Sequence, residues 1–466
     1  MTFNNRIDIA GINKSIVTNV EVTDSCYYLC GTLVDSVESG SFFAKLNLNG
    51  ELEFFKKIGT DSLIFELVTP TLIQKNGSFY IAGHGRKSNK RETILLKMNT
   101  YGDVQDYSWL GFPGDYFGNP SPLSLVPLNN DWLLVERIVN HNRNRFEGRF
   151  LRLDSTGNII WEKLYADPTY SFLPTDIIAD STGFVIGAGK GDIHYRFNNY
   201  HEQTVVLKYN HAGELQWKYE SKPDSLWSAA ESIIFTNDGG QIIGAKRGIP
   251  LQVNLVIQVF QIEHLLFKLD KNQNVSWSRL MRNEFRNEFN DIDKIIDTGD
   301  GVAYCGELID ENVGFQGIIG KVGYDGDSLW MRNFTFLTDT DTAYQNWLYD
   351  FEKTLDNGFI AVGYTTIDDK PDKLKYGWML KVDEYGCLIP GCQLSNTKDI
   401  SGETELDLSI FPNPTSEYLN FLVKDSNLSQ LSYRIVTTEG KVISQNLDIK
   451  PNITYIVPVQ KWISGT

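Results

Sequence analysis

Lys208-Tyr209-Asn210-His211-Ala212-Gly213-Glu214-Leu215-Gln216-Trp217 is the stretch on which the fold turns. A basic residue stands between apolar ones, followed by Asn or Asp, a Gly, and an aromatic four residues on. The same phrase returns as Lys45-Leu46-Asn47 with Gly50 and Phe54, Lys97-Met98-Asn99 with Gly102, and Arg152-Leu153-Asp154 with Gly157 and Trp161. It continues as Lys268-Leu269-Asp270 with Trp277, Lys321-Val322 with Gly326 and Trp330, and Lys381-Val382-Asp383 with Gly386. The basic residues are 52, 55, 56, 60, 53 and 60 positions apart. Gln273 replaces the turn glycine once, Tyr107 falls one place late, and the seventh copy lacks its aromatic.

A second phrase precedes each of these: a turn, then alternating apolar residues ending in Gly. Asn76-Gly77 to Gly83, Thr182-Gly183 to Gly187, Asp238-Gly239-Gly240 to Gly244, Asp300-Gly301 to Gly306 and Asn357-Gly358 to Gly363 carry it. Cys26 to Gly31 is the first copy, and Asp131 to Glu136 a degenerate third. Another apolar run lies upstream, such as Ser232 to Thr236 and Asp293 to Ile296. The unit is therefore four short strands, and seven copies predict an all-β, seven-bladed β-propeller over residues 1–392. A solenoid would use shorter repeats and need capping units. Pro390 denies the seventh unit its fourth strand. Phe3 to Gly11 resembles Phe54 to Gly59, so residues 3–10 are expected to complete the last blade.

The chain has 466 residues, 39 of them Gly and 58 aromatic, and a net charge of −16. That charge repels phosphate backbones and argues against a nucleic-acid partner. Ile249 to Phe267 is apolar but interrupted by Gln252, Asn254, Gln258, Gln261, Glu263 and His264, so it reads as strands and no transmembrane segment is expected. Residues 1–10 carry no signal-peptide pattern. Cys387 and Cys392 are spaced to close a small loop, Cys26 and Cys30 share a strand face too far apart to bond easily, and Cys305 reads as a buried apolar residue.

After Cys392 the grammar changes. Residues 393–407 are polar and read as a linker. Residues 408–466 then bring Phe411-Pro412-Asn413-Pro414-Thr415, alternating Tyr418 to Val423, a Glu439-Gly440-Lys441 turn, and Trp462 to Thr466. This tail resembles the C-terminal sorting domain of the type IX secretion system of Bacteroidetes, with Pro412, Asn413, Pro414, Gly440 and Lys441 as the matching residues. The resemblance implies a small β-sandwich, the type IX secretion machinery as partner, and a secreted or outer-membrane surface-attached protein. Members of that family begin with a signal peptide and continue past Gly-Thr with a Tyr-containing strand, so these residues are read as a piece of a longer chain. The Leu153 to Trp161 phrase also resembles the tryptophan-docking motif of quinoprotein dehydrogenase propellers, in which the Trp packs on the turn of the next blade. That role is mechanical, and no cofactor is expected.

No Gly-x-Ser-x-Gly elbow, reactive Cys–His pattern or metal-ligand His spacing is present. Asp339 and Asp341 lack the spacing of a calcium loop, so no metal is expected. Carboxylate pairs for glycoside hydrolysis need distances that a sequence does not give. Candidate ligand-binding residues cluster between the second and third strands of three successive repeats. They are Arg86, Lys87 and Arg91; His141, Arg143 and Arg145; and His194, Tyr195, Arg196 and His201. Converging on one rim, they would suit an anionic glycan. The sequence thus predicts a non-catalytic module that binds a glycan or a cell-surface protein through its rim. The alternative is a propeller enzyme, a polysaccharide lyase or hydrolase, with its site at the central channel.

Overall fold

The computed structural model is all-β. It describes residues 2–459 except 10, 36–38, 61–62, 65–69, 88–89, 113–120, 141, 192–201, 223–226, 254–256, 282–289, 311–313, 339–340, 368–374, 394–406, 412–417, 425–430, 437–441 and 451. Two compact regions result, Met1–Pro390 and Gly391–Thr466.

In the larger region each sequence repeat folds as an antiparallel four-stranded module. The first comprises Ile12–Val22, Cys26–Asp35, Ser39–Asn47 and Leu52–Thr60; the second Thr71–Lys75, Ser78–Lys87, Lys90–Met98 and Val104–Trp109. The third holds Ser121–Leu128, Asp131–Asn140, Arg145–Leu153 and Ile159–Tyr165; the fourth Ser171–Asp180, Gly183–Gly191, Glu202–Tyr209 and Leu215–Glu220. The fifth holds Trp227–Phe235, Gln241–Val253, Ile257–Leu269 and Val275–Met281; the sixth Asn290–Asp297, Val302–Asp310, Gly314–Val322 and Ser328–Phe334. Asp341–Lys353, Phe359–Ile367 and Lys375–Val382 make up the last, and Phe3–Ile7 pairs antiparallel with Lys375–Val382 as its fourth strand. The pairing stops at Ile7, short of residue 10.

The first strand of each module neighbours the first strand of the next, and that of the last neighbours that of the first. Hydrophobic cores therefore lie between modules. One joins Phe150 and Leu133 to Phe184 and Leu207, and another joins Phe3, Ile360 and Met379 to Val17 and Phe42. Sheets stacked face to face around a ring of inner strands are the arrangement of a β-propeller.

The repeated residues explain how the modules dock. The basic residue of the third strand reaches the Asp of the preceding hairpin: Lys208 bonds Asp180 at 3.0 Å, Lys321 bonds Asp300 at 2.8 Å and Lys381 bonds Asp356 at 2.9 Å. The aromatic of the fourth strand lies on the turn glycine of the following module. Trp277 Nε1 donates to the Tyr324 carbonyl at 2.9 Å, and a Cβ on Gly326 would sit 2.8 Å from the Trp277 ring. Phe3 takes that place against Gly50, also at 2.8 Å. The docking role expected of the tryptophans is the one they perform.

In the smaller region Asp407–Phe411, Tyr418–Lys424 and Thr454–Pro458 form one sheet, and Leu431–Val436 pairs with Val442–Ile449. The strand at Asp407 starts one residue inside the stretch expected to be linker. Phe421 and Val457 are its buried centre, with Tyr433 edge-on to Phe421 at 4.7 Å. Pro412, Asn413, Pro414, Gly440 and Lys441 lie outside the described residues. Cys387 and Cys392 are disulfide-bonded, whereas Cys26, Cys30 and Cys305 are free and buried.

Candidate functional site: an acidic channel ringed by bulges

Six inner strands carry a β-bulge at the same level. The extra residues are Thr18, Leu123, Thr175, Glu231, Asp293 and Tyr349. A bulge bends the strand and re-aims a side chain. It also explains the repeated glycine of the second strand, which meets the displaced backbone. A Cβ on Gly306 would lie 1.9 Å from the Asp291 carbonyl oxygen, and one on Gly363 1.7 Å from that of Trp347.

The bulged residues and their neighbours line a cavity of about 200 Å³ on the ring axis, to which every module contributes. Thr18, Thr71, Ser124, Asp176, Glu231, Asp293, Lys294, Tyr349 and Asp350 form its wall. Asp176 is anchored by four donors: Ser124 Oγ at 3.2 Å, Ile177 N at 2.9 Å, Ser232 Oγ at 3.0 Å and Ile233 N at 3.1 Å. Asp350 accepts from Asn19 Nδ2 at 3.2 Å and Val20 N at 3.1 Å. These bonds tie neighbouring inner strands together and hold carboxylates at the wall. Lys294 stands among them, its pKa raised first by the Asp176 charge and further by Asp350 and Glu352.

Carboxyl groups gather at both ends of this ring. Beyond the bulges, Glu352 accepts from Val22 N at 2.9 Å and is pushed up to about 8 by burial, with Glu21 and Asp350 adding repulsion. Glu21 is pushed up to about 7, again by burial. Ahead of the bulges, Asp291 rises to about 7 through burial, although Lys246 stands 3.6 Å away. Lys246 also pairs with Glu231. Asp293 and Glu307 are both driven well above the usual carboxylate range by burial. The sixth and seventh modules add aromatic surface nearby: Trp347 stacks on Phe315 at 4.8 Å and on Tyr364 at 6.1 Å, with Tyr349 5.9 Å from Tyr364.

Of the rim residues expected to bind ligand, Arg143 and Arg145 are not among those that line this cavity. Arg86, Lys87 and Arg91 are on strands rather than in a loop, with Arg86 opposite Arg91 and Lys87 opposite Lys90; only residues 88–89 separate the two strands, so the ladder runs through the basic positions. Arg143 is exposed and 3.7 Å from Glu147, and Arg145 donates to the Pro168 carbonyl at 3.0 Å. Both are thus engaged within their own hairpin and its neighbour. His141, His194, Tyr195, Arg196 and His201 lie outside the described residues, as does Asp339. The described residues contain no group of three or more His, Cys, Asp or Glu side chains able to hold a metal ion, and no helix long and apolar enough to cross a membrane.

The fold is propeller-like, and its inner strands enclose a channel lined by ionisable side chains. No protein-family model and no curated protein matches it. Among solved structures it is similar to the polysaccharide lyase Uly1, at 9% identity over 79% of this chain and 90% of that one, with a TM-score of 0.48. It is also similar to the β-propeller domain of the Trilobed protease from Pyrococcus furiosus, at 10% identity over 81% and 98%, TM-score 0.44. A third is the Penicillium chrysogenum α-L-arabinanase complexed with arabinobiose, at 9% identity over 82% and 99%, TM-score 0.39.

Proposed function

We propose that the chain is a seven-bladed β-propeller enzyme that hydrolyses a neutral polysaccharide at its central channel. The observation that carries this reading is the cavity wall itself, where Asp293, Asp350, Lys294 and Tyr349 converge from different modules with shifted proton affinities. Convergent titratable groups in a concave polar site are the mark of acid–base chemistry. Carboxyl groups outnumber the ammonium of Lys294 along the wall, which favours a neutral chain over a uronate and hydrolysis over elimination. The channel therefore supports the enzyme reading over a non-catalytic rim module, since Arg143 and Arg145 are engaged in their own surroundings.

Residues 408–466 serve, on this proposal, as a type IX sorting tail that delivers the propeller to the outside of the cell. The disulfide-bonded Cys387 and Cys392 fit an oxidising destination. Incubating the full chain with neutral and uronic polysaccharides and assaying new reducing ends tests the catalytic reading. Reducing ends from a neutral chain, lost in Asp293→Asn, are expected. Unsaturated products from a uronate would point to a lyase, and retention of a glycan without cleavage would restore the recognition module. Attaching residues 393–466 to a periplasmic reporter in a type IX-competent host tests the tail, with appearance of the reporter in the medium expected.

A further inference from the structure

Asp293 is the bulged residue of the sixth module and lines the cavity; Glu307, on the adjacent strand, lies behind it and is 1% exposed. The two side chains are within hydrogen-bonding reach of each other. One oxygen of each, Asp293 Oδ2 and Glu307 Oε2, is buried and meets no N–H or O–H donor. Two ionised carboxylates cannot share such a position: the repulsion is undiluted by water and both orphaned oxygens lack a proton to accept. A proton between them satisfies both.

The cations nearby do not remove the need for it. Lys246 pairs with Glu231 and stands 3.6 Å from Asp291; its charge also acts on Asp293 and Glu307, but less than burial does. Lys294 points into the charge of Asp176 and Asp350. Tyr349 and Tyr364, on the side of the seventh module, are themselves held protonated by burial. His264 faces the pair from the fifth module and is held neutral, its affinity lowered to about 4 by burial; its Nε2 donates to the Glu307 carbonyl at 3.0 Å and fixes the backbone. Cys305 is a buried thiol pushed far up, and the carboxyls of Asp291 and Glu231 add to the repulsion.

We propose that Glu307 stays a neutral carboxylic acid throughout and donates its O–H to Asp293, which is the group that exchanges protons with the channel. The inference rests on the catalytic reading above and names its proton donor. In the donating step the O–H bond of Asp293 breaks and a new O–H bond forms on the leaving oxygen of the substrate. The negative charge left on Asp293 is met by the Glu307 O–H. The pair thus cycles between two protons and one and never reaches the doubly charged state that burial forbids. Asp293 is the catalytic residue and Glu307 a positioning residue.

Infrared spectroscopy of the full-length wild type, Glu307→Gln and Glu307→Leu at pH 7 tests this without any substrate. Loss of one component of the buried neutral carboxyl band from both variants is expected, while the contributions of Asp293 and Glu352 remain. An unchanged band would overturn the proposal whatever the activity. With a cleaved polysaccharide in hand, Glu307→Gln, whose amide N–H replaces the lost donor, should keep activity within about threefold of wild type. Glu307→Leu should move the pH limb assigned to Asp293 upward by at least one unit, because nothing then stabilises its charge. Equal loss in both variants with an unmoved limb would reduce Glu307 to packing. The expected infrared result without turnover of any polysaccharide would instead sink the hydrolase reading and leave the shared proton standing.

Discussion

The hairpins and the channel use the same side chain in opposite ways. At the hairpins, Asp238 is bonded by Lys268 and by Thr236 Oγ1, both at 2.5 Å, and its pKa falls to about 2. Asp154, in a turn, accepts from Thr156 Oγ1 at 2.7 Å and from the backbone of Thr156 and Asn158 at 2.9 Å, and also falls to about 2. In the channel, Asp291 rises to about 7 and Glu352 to about 8. The difference lies in partners. A carboxylate given a cation and N–H donors at the surface is a clasp, whereas one buried among its own kind becomes a proton store.

The comparison has one crossing point. Glu136 of the third module stands where other modules have glycine, fully buried, yet it has an Arg149 guanidinium at 2.6 Å and a Thr93 hydroxyl. Arg149 also bonds Glu162 at 2.6 Å and the Leu110 carbonyl at 2.9 Å. Removing the cation should produce the largest effect: Arg149→Met is expected to cost about 3–5 kcal/mol in urea unfolding, because Glu136 is left buried with only the Thr93 hydroxyl and no countercharge. Glu307→Gln, at a site already without a cation, should cost less than about 1 kcal/mol. Equal costs would dissolve the distinction between clasp and store.

Next in size is the closing strand. Phe3→Ala strips the ring that covers Gly50 and lies 6.3 Å from Tyr27. A loss of about 3 kcal/mol is expected by thermal or urea unfolding. A smaller effect separates the two carboxylate classes by pH. The channel acids have folded-state affinities above their unfolded ones, so between pH 4.5 and 8 the unfolded chain releases protons that the folded chain keeps. Stability is therefore fully present near pH 4.5 on this account and falls as pH rises. Glu352→Gln should recover about 2 kcal/mol at pH 8 and nothing at pH 4.5. His264 acts in the other direction: its folded affinity is depressed from 6.5 to about 4, so stability drains as pH falls through that window. Asp154→Asn should change stability least, and proton titration by NMR should place the wild-type Asp154 near 2.

Most of the frame was legible because its parts repeat. The Lys–Asp clasp, the turn glycine and the docked aromatic recur at fixed spacing, so self-comparison finds them, and Phe3 could be matched to Phe54 before any strand was placed. The channel was not legible for the converse reason. Its bulged position is Thr18, Glu231, Asp293 or Tyr349 according to module, and a method that looks for sameness averages such a ring away. A weak signal was present: a polar residue precedes the second-strand glycine at nearly constant distance, as Asn19 does Gly31 and Lys294 does Gly306. Arg86, Lys87 and Arg91, beside a turn, read as loop, whereas the strands there pair almost to their ends.

The pairing of Phe3–Ile7 with Lys375–Val382 also sets a timetable. Phe3–Ile7 has no partner until a strand some 375 residues later has been made, so every module from the first to the sixth can assemble while the ring is still open. Closure is a single late event of very long range, and contacts of that separation are slow to form. Until then the first and last modules each keep an unpaired strand edge, free to pair with a second copy. Once Phe3 seats on Gly50, that freedom is gone and the channel is complete.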